Sequence, residues 1–308
     1  MHHKIHSLKM RYFSAFYDDA FSKVIPQLRT ESWKALFIMG SGRNGSTLFS
    51  CILNNHNKIC IPPEHNGIPA AIRYWHTHPF QSWTNKVNHI TSIFEKSALW
   101  NFEGEKTKSE LSGIPVNQRN INEIINSIYG YFGRKQGKLN PVWGDKTPSN
   151  THFIKTIKKQ FPLSKIIFLV RDPRDVVSSL LEINEKHFLK TFDFLLWRWI
   201  DSIDKYRFLS KKFPEDIRML KYENLVSNPS EEVTGIIRWL DLEPQPGLLN
   251  SYAANMEFLG IKDVEHHKNI NNPISTGSIG KWKYNLAKES VTKIHRRLGA
   301  AMKQLGYI

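Results

Sequence analysis

Residues 35–53 read ALFIMGSGRNGSTLFSCIL, and this stretch decides the fold. Ala35–Met39 is a short, unbroken apolar run, the pattern of a strand buried on both faces of a parallel sheet. Gly40-Ser41-Gly42-Arg43-Asn44-Gly45-Ser46-Thr47 then makes a glycine-rich turn, after which Leu48, Ile52 and Leu53 open a helix. Strand, turn and helix start together form a concave nest of backbone N–H groups, to which the helix dipole adds positive potential. The expected occupant is therefore an anion. The spacing fits G-x-x-x-x-G-K-[ST] except that Ser46 stands where the lysine that reaches β- and γ-phosphates belongs. With that lysine missing and Arg43 inside the loop, a nucleoside triphosphate with magnesium is disfavoured.

Working outward, further strands are expected at Ile166–Val170 and Ile217–Leu220, with weaker runs at Lys58–Ile61 and Val142–Trp143. Ile121–Lys135, Phe192–Phe213 and Val291–Leu305 repeat apolar residues at helical spacing. This alternation predicts an α/β fold: a single domain with a central parallel sheet flanked by helices, and a P-loop-like ligand site where the loops leave the strands. No repeat, low-complexity tract or linker divides the chain. Residues 1–31 read as an N-terminal extension and 32–308 as the domain. Within it, 65–140, rich in Trp, His and Asn, reads as an acceptor-binding cap. Trp75, Trp83 and Trp100 suit such a pocket, but tryptophans of this kind are more often core.

Composition narrows the function classes. The 308 residues carry 43 Lys and Arg against 28 Asp and Glu, a formal net charge of +15, and are 40% hydrophobic, which excludes bulk disorder. The apolar runs fall short of the ~18 residues of a membrane span. The first residues lack the apolar core and cleavage site of a secretory signal, and two cysteines make no disulfide framework, so a reducing, cytoplasmic setting is expected. The charge suits nucleic acid, an anionic membrane or a highly anionic small ligand. No run of five consecutive basic residues occurs, so a polyanion reading holds only where particular cations converge. Tyr12, Phe13, Phe16, Tyr17 and Phe21 beside Lys9 and Arg11 suit a lipid surface, though packing on the domain is the simpler account. Of the thirteen histidines, His2-His3 and His266-His267 are adjacent pairs that do not readily face one site, and no H-E-x-x-H occurs, so no metal site is expected.

The second informative stretch is Lys165–Leu181, KIIFLVRDPRDVVSSLL. A strand ends in Arg171-Asp172-Pro173, a helix follows, and Arg171 with Ser178 or Ser179 can reach a second anionic group. The competing reading places Arg171 and Arg174 in an ion-pair cluster with Asp172 and Asp175. Taken together, the two loops resemble those of the sulfotransferases that use 3′-phosphoadenosine 5′-phosphosulfate. A loop of form G-x-x-R-[SN]-G-[ST]-[ST]-L holds the 5′-phosphosulfate in that family; here it is Gly40 to Leu48. A later R-[DN]-P-[RK]-D-x-x-x-S holds the 3′-phosphate; here its ends are Arg171 and Ser179, eight residues apart.

The resemblance implies roles for individual residues. Gly42, Arg43, Asn44, Gly45, Ser46 and Thr47 would hold the 5′ end, with Arg43 also catalytic. Glu64, in NNHNKICIPPEHNGI (54–68), follows Arg43 by 21 residues as in the tyrosylprotein-type subgroup, which makes it the general base. His65 is the alternative, because cytosolic relatives use histidine. Lys146 in WGDKTP (143–148) would stabilise charge on the bridging oxygen. Tyr222 in LKYENLVSNP (220–229) would touch adenine or ribose, and Ser278 and Lys281 in TGSIGKWKYNL (276–286) would close over the nucleotide. The cytosolic enzymes' R-K-G is replaced by Ser275-Thr276-Gly277, which leaves a second basic contact to the 3′-phosphate unassigned.

The activity so implied is transfer of a sulfuryl group to a hydroxyl of a carbohydrate, glycolipid or other small acceptor, without metal or nucleic-acid partner. A tyrosine acceptor is the alternative. Two other classes stay open: a kinase or nucleoside triphosphatase with a degenerate loop, and a non-enzymatic polyanion binder with steep salt dependence.

Overall fold

A computed structural model describes residues 18–23, 25, 35–97, 99–139, 141–187, 192–262, 264 and 270–308. Its centre is a five-stranded sheet: β1 (Leu36–Met39), β2 (Ile59–Cys60), β3 (Val142–Asp145), β4 (Lys165–Val170) and β5 (Ile217–Lys221). The order is β2-β3-β1-β4-β5, and every pairing is parallel, with Leu36 opposite both Gly144 and Lys165. All five expected runs are strands. The weak ones were weak because β2 has only two paired residues and β3 ends in the polar Gly144-Asp145.

Strand alternation divides the core. Phe37, Met39, Ile166 and Phe168 face one side, where they join α2 (Gly67–Thr77), α3 (Trp83–Glu95), α4 (Gly104–Ser112), α5 (Ile121–Lys135) and α6 (Ile154–Gln160). Leu36, Ile38, Ile167 and Leu169 face the other, against α1 (Ser46–Leu53), α9 (Tyr222–Ser227) and α10 (Pro229–Trp239). A third cluster joins α7 (Pro173–His187), α8 (Phe192–Lys212) and α11 (Lys288–Gln304) beyond the end of β4. Central strands apolar on both faces are what a doubly covered parallel sheet requires. Helix α11 begins three residues before its apolar pattern, because Lys288-Glu289-Ser290 form a polar first turn that periodicity does not register.

Among its described residues the 65–140 segment is more regular than its sequence suggests, with four α-helices whose apolar faces all enter the first core cluster. Trp100 is fully buried, and its Nε1–H donates to the Pro63 carbonyl at 2.9 Å. Trp75 and Trp83 pack against the same cluster. These tryptophans are core. Residues 18–23 are helical and lie on the domain: Asp18 accepts from the backbone N–H groups of Lys155 and Thr156 at 3.0 and 2.8 Å, capping α6 from outside its own chain segment. Phe21 meets the edge of His76. Tyr12, Phe13, Phe16 and Tyr17 lie outside the described residues, as does most of 1–31.

Candidate functional site

Each strand delivers one site residue from its carboxyl end, so the sheet order becomes the order of the site. Across the edge run Glu64 after β2, Lys146 after β3, the anion loop with Arg43 after β1, Arg171 after β4 and Tyr222 after β5. A cleft of about 920 Å³ lies along this edge. Its walls include Gly42, Arg43, Gly45, Ser46, Thr47, Glu64, Arg171, Ser179, Tyr222, Ser278 and Lys281. Of the residues singled out from sequence, Asn44 and Lys146 stand behind the wall. None of residues 65–140 lines the cleft among the described residues.

The loop's shape depends on left-handed backbone. Gly45, the residue before α1, has φ 90°, and a Cβ there would sit 2.4 Å from the Tyr222 ring, so only glycine fits. Arg43 holds φ 55°, an uncommon conformation for a residue with a side chain. Asn44 anchors the loop from below, its Nδ2 donating to the Leu169 carbonyl at 2.6 Å. No side chain caps α1, so its first-turn N–H groups, at Ser46 and Thr47, remain for an anion.

The second loop meets the first directly. Arg43 Nε donates to Ser179 Oγ at 3.1 Å, and Arg171 Nη1 donates to the Arg43 carbonyl at 3.3 Å. Burial and the neighbouring Arg171 pull the Arg43 pKa below its ordinary value, opposed by Glu64 and Glu182. Arg171 also donates Nη2–H to the Ser278 carbonyl at 2.6 Å and stacks over the Tyr222 ring at 4.5 Å. Tyr222 OH in turn bonds Ser278 Oγ. The ion-pair alternative is resolved by residue. Arg174 pairs with Asp172 at 2.6 Å, whereas Arg171 turns to the cleft. Asp175 accepts from the N–H groups of Gly280 and Trp282 at 2.8 and 3.0 Å, pinning the segment that carries Ser278 and Lys281 over the site.

At the opposite end, Lys146 Nζ and Glu64 Oε1 are 2.7 Å apart; the lysine side chain is 3% exposed and the glutamate 42%. Lys146 thus reaches the cleft through Glu64. Its backbone is fixed by Asp145, whose Oδ1 accepts from the Thr147 N–H at 2.7 Å and Oδ2 from Tyr129 OH at 2.5 Å. Burial raises the Asp145 pKa. His65 faces away from the cleft, wedged between Phe94 and Trp100 with ring centroids 4.8 and 4.7 Å away. Its Nδ1 is buried without a partner, and burial pushes its pKa down to about 4. This placement suits packing, and of the two acids or bases only Glu64 opens to the site.

Sequence reasoning passed over Arg198 and gave Asp175 only a structural role. Arg198 lies on α8 and lines the cleft. No short motif surrounds it, so only the fold brings it to the loop. The donor set fits a ligand with two phosphate-like groups: a glycine cradle at one end, and at the other Arg171, whose Nε is buried and unpartnered. Among the described residues, no three His, Cys, Asp or Glu side chains cluster as metal ligands, and no helix is long and apolar enough to cross a membrane.

Comparisons with known proteins bear on the fold and the family. A protein-tyrosine sulfotransferase A of Caenorhabditis elegans is 22% identical over 298 residues, 92% of this chain and 69% of that one. A Caenorhabditis briggsae relative, also named for protein-tyrosine sulfotransferase activity, is 24% identical over 266 residues, 84% of each chain. Among solved structures, the sulfotransferase domain of the Synechococcus PCC 7002 olefin synthase superposes with a TM-score of 0.57 at 20% identity, covering 89% of this chain and 98% of its own. The model described as "Sulfotransferase family" matches residues 35–246. With that match spanning the anion loop, both arginine-bearing strand ends and the whole sheet, the chain belongs to the sulfotransferase family.

Proposed function

We propose that this enzyme moves the sulfuryl group of 3′-phosphoadenosine 5′-phosphosulfate to a hydroxyl, with a tyrosine phenol as the acceptor. The observation that supports the reaction is the sharing of one cleft by the two loops, with Glu64, backed by Lys146, at its far end. The anion loop and α1 would hold the 5′-phosphosulfate, Arg171 and Ser179 the 3′-phosphate, and Tyr222 with Ser278 the nucleoside between them. The relatives' names favour the phenol over the carbohydrate or glycolipid expected from sequence.

In this reading the hydroxyl oxygen bonds to sulfur as the sulfur–oxygen bond to the 5′-phosphate breaks. The hydroxyl proton passes to Glu64, and the electron pair leaves with adenosine 3′,5′-bisphosphate. Lys146 steadies the carboxylate and contributes positive potential, while the loop N–H groups face the charge that collects on the departing phosphate. A sulfonate carries less charge than a terminal phosphate, so protein cations suffice where phosphoryl transfer uses magnesium.

The test offers the labelled sulfuryl donor with tyrosine-containing peptides, oligosaccharides and glycolipids in parallel. The proposal requires label on the phenolic oxygen. Label on sugar hydroxyls alone would return the acceptor to carbohydrate, and hydrolysis of magnesium ATP with no sulfuryl transfer would remove the reading altogether.

A further inference from the structure

Arg198 sits on α8 between Trp197 and Trp199, both buried, the second donating Nε1–H to the Arg171 carbonyl at 2.9 Å. These neighbours fix the helix against the second loop and aim the guanidinium at the first. A Cβ built on Gly42 would lie 3.1 Å from Arg198 Nη2 and 3.8 Å from its Cζ, so the guanidinium rests on the glycine of the anion loop. Among the described residues no hydrogen bond or ion pair meets it. Burial lowers its pKa, with the field of Glu64 as the opposing influence. A half-buried guanidinium that lines the cleft and has no bonded anion is placed for a ligand to complete it. Arg43, the loop's own arginine, directs Nε to Ser179 instead. The cation standing over the loop beside the Glu64 end is Arg198.

We infer that Arg198 is a catalytic residue whose forked donors hold the oxygens of the transferring sulfonate. The inference rests on the sulfuryl-transfer reading and deepens it. A planar guanidinium presents paired N–H groups to two oxygens of a sulfonate, which a lysine cannot do. Bond making and breaking are those given above. Arg198 stays protonated throughout and offsets charge on the sulfonate oxygens, while the proton goes to Glu64 and the bisphosphate leaves. The 3′-phosphate and 5′-phosphate are met by other groups, so Arg198 should distinguish nucleotide that carries sulfonate from nucleotide that does not.

Calorimetry of Arg198→Gln and Arg198→Lys with both nucleotides, alongside kcat, tests this. The expected result for Arg198→Gln is adenosine 3′,5′-bisphosphate affinity within threefold of the parent, phosphosulfate affinity weaker by about tenfold, and kcat lower by about a hundredfold. Added methylguanidinium should restore part of the activity of Arg198→Gly, which a purely structural arginine would not show. If Arg198→Gln fails to fold, Arg198→Lys decides: bisphosphate binding unchanged with kcat down about tenfold supports the role. Equal weakening of both nucleotides, or an unchanged kcat, overturns it. A parent protein that binds neither nucleotide overturns both this assignment and the reading beneath it, whereas a parent that binds both while the variants are indifferent overturns this assignment alone.

Discussion

Glu64 and Lys146 show how single residues divide the labour of the site. The lysine is buried and the glutamate half-open, so the pair presents a carboxylate to the cleft with its counter-charge behind it. Glu64→Gln keeps an oxygen for Lys146 but removes the carboxylate that the proposal makes the proton acceptor. The expected outcome is a kcat lower by about 10² to 10³ with bisphosphate affinity retained, measured by steady-state kinetics and titration. His65 supplies a pH prediction. Its folded pKa of about 4 lies below the unfolded value near 6.5, so between these limits the unfolded chain binds a proton that the folded chain does not. Stability from this residue therefore falls as pH drops from about 6.5 toward 4. His65→Phe keeps the aromatic contacts and should flatten the dependence of Tm on pH across that window; an unaltered slope would place the titration elsewhere. Residues inside short motifs, such as Arg171 and Ser179, were legible from spacing. Arg198 was not, because a lone arginine in a helix that is mostly apolar and charged carries no local sign of what the tertiary fold sets before it.

At the scale of elements, the turn between β1 and α1 is the critical joint. Gly45→Ala must hold positive φ and push a methyl group into the Tyr222 ring, at strain of about 1–3 kcal/mol. The outcome expected in calorimetry is loss of at least about tenfold in bisphosphate affinity, with the sheet intact by circular dichroism. Strands β1 and β4 were the most readable because both faces of the sheet are covered there, which turns a strand into an unbroken apolar run. The 65–140 helices were less so. Their buried faces include Trp, Tyr, Thr and Asn, and a mixed face of that kind blurs helical periodicity until the partner surface is known. For the same reason its tryptophans were readable as pocket or core, and packing decided for core.

The whole molecule is tied together by contacts far apart in sequence. Asp18 is 1% exposed and caps α6 across more than a hundred residues, although burial raises its pKa. Asp18→Ala should lower stability by about 1 kcal/mol, seen as a reduced midpoint in urea, and leave nucleotide affinity unchanged. A loss of affinity would show that the segment also shapes the cleft. The charge of +15 belongs to this scale too. Among the described residues, the part of it that the proposal uses is the small set of arginines converging on one edge of the sheet. The measurement that bears most directly on the central claim is a calorimetric titration of the intact chain with adenosine 3′,5′-bisphosphate and, separately, with magnesium ATP. Tight one-to-one binding of the bisphosphate with magnesium ATP at least about a hundredfold weaker is the predicted result; equal or stronger binding of magnesium ATP would contradict it.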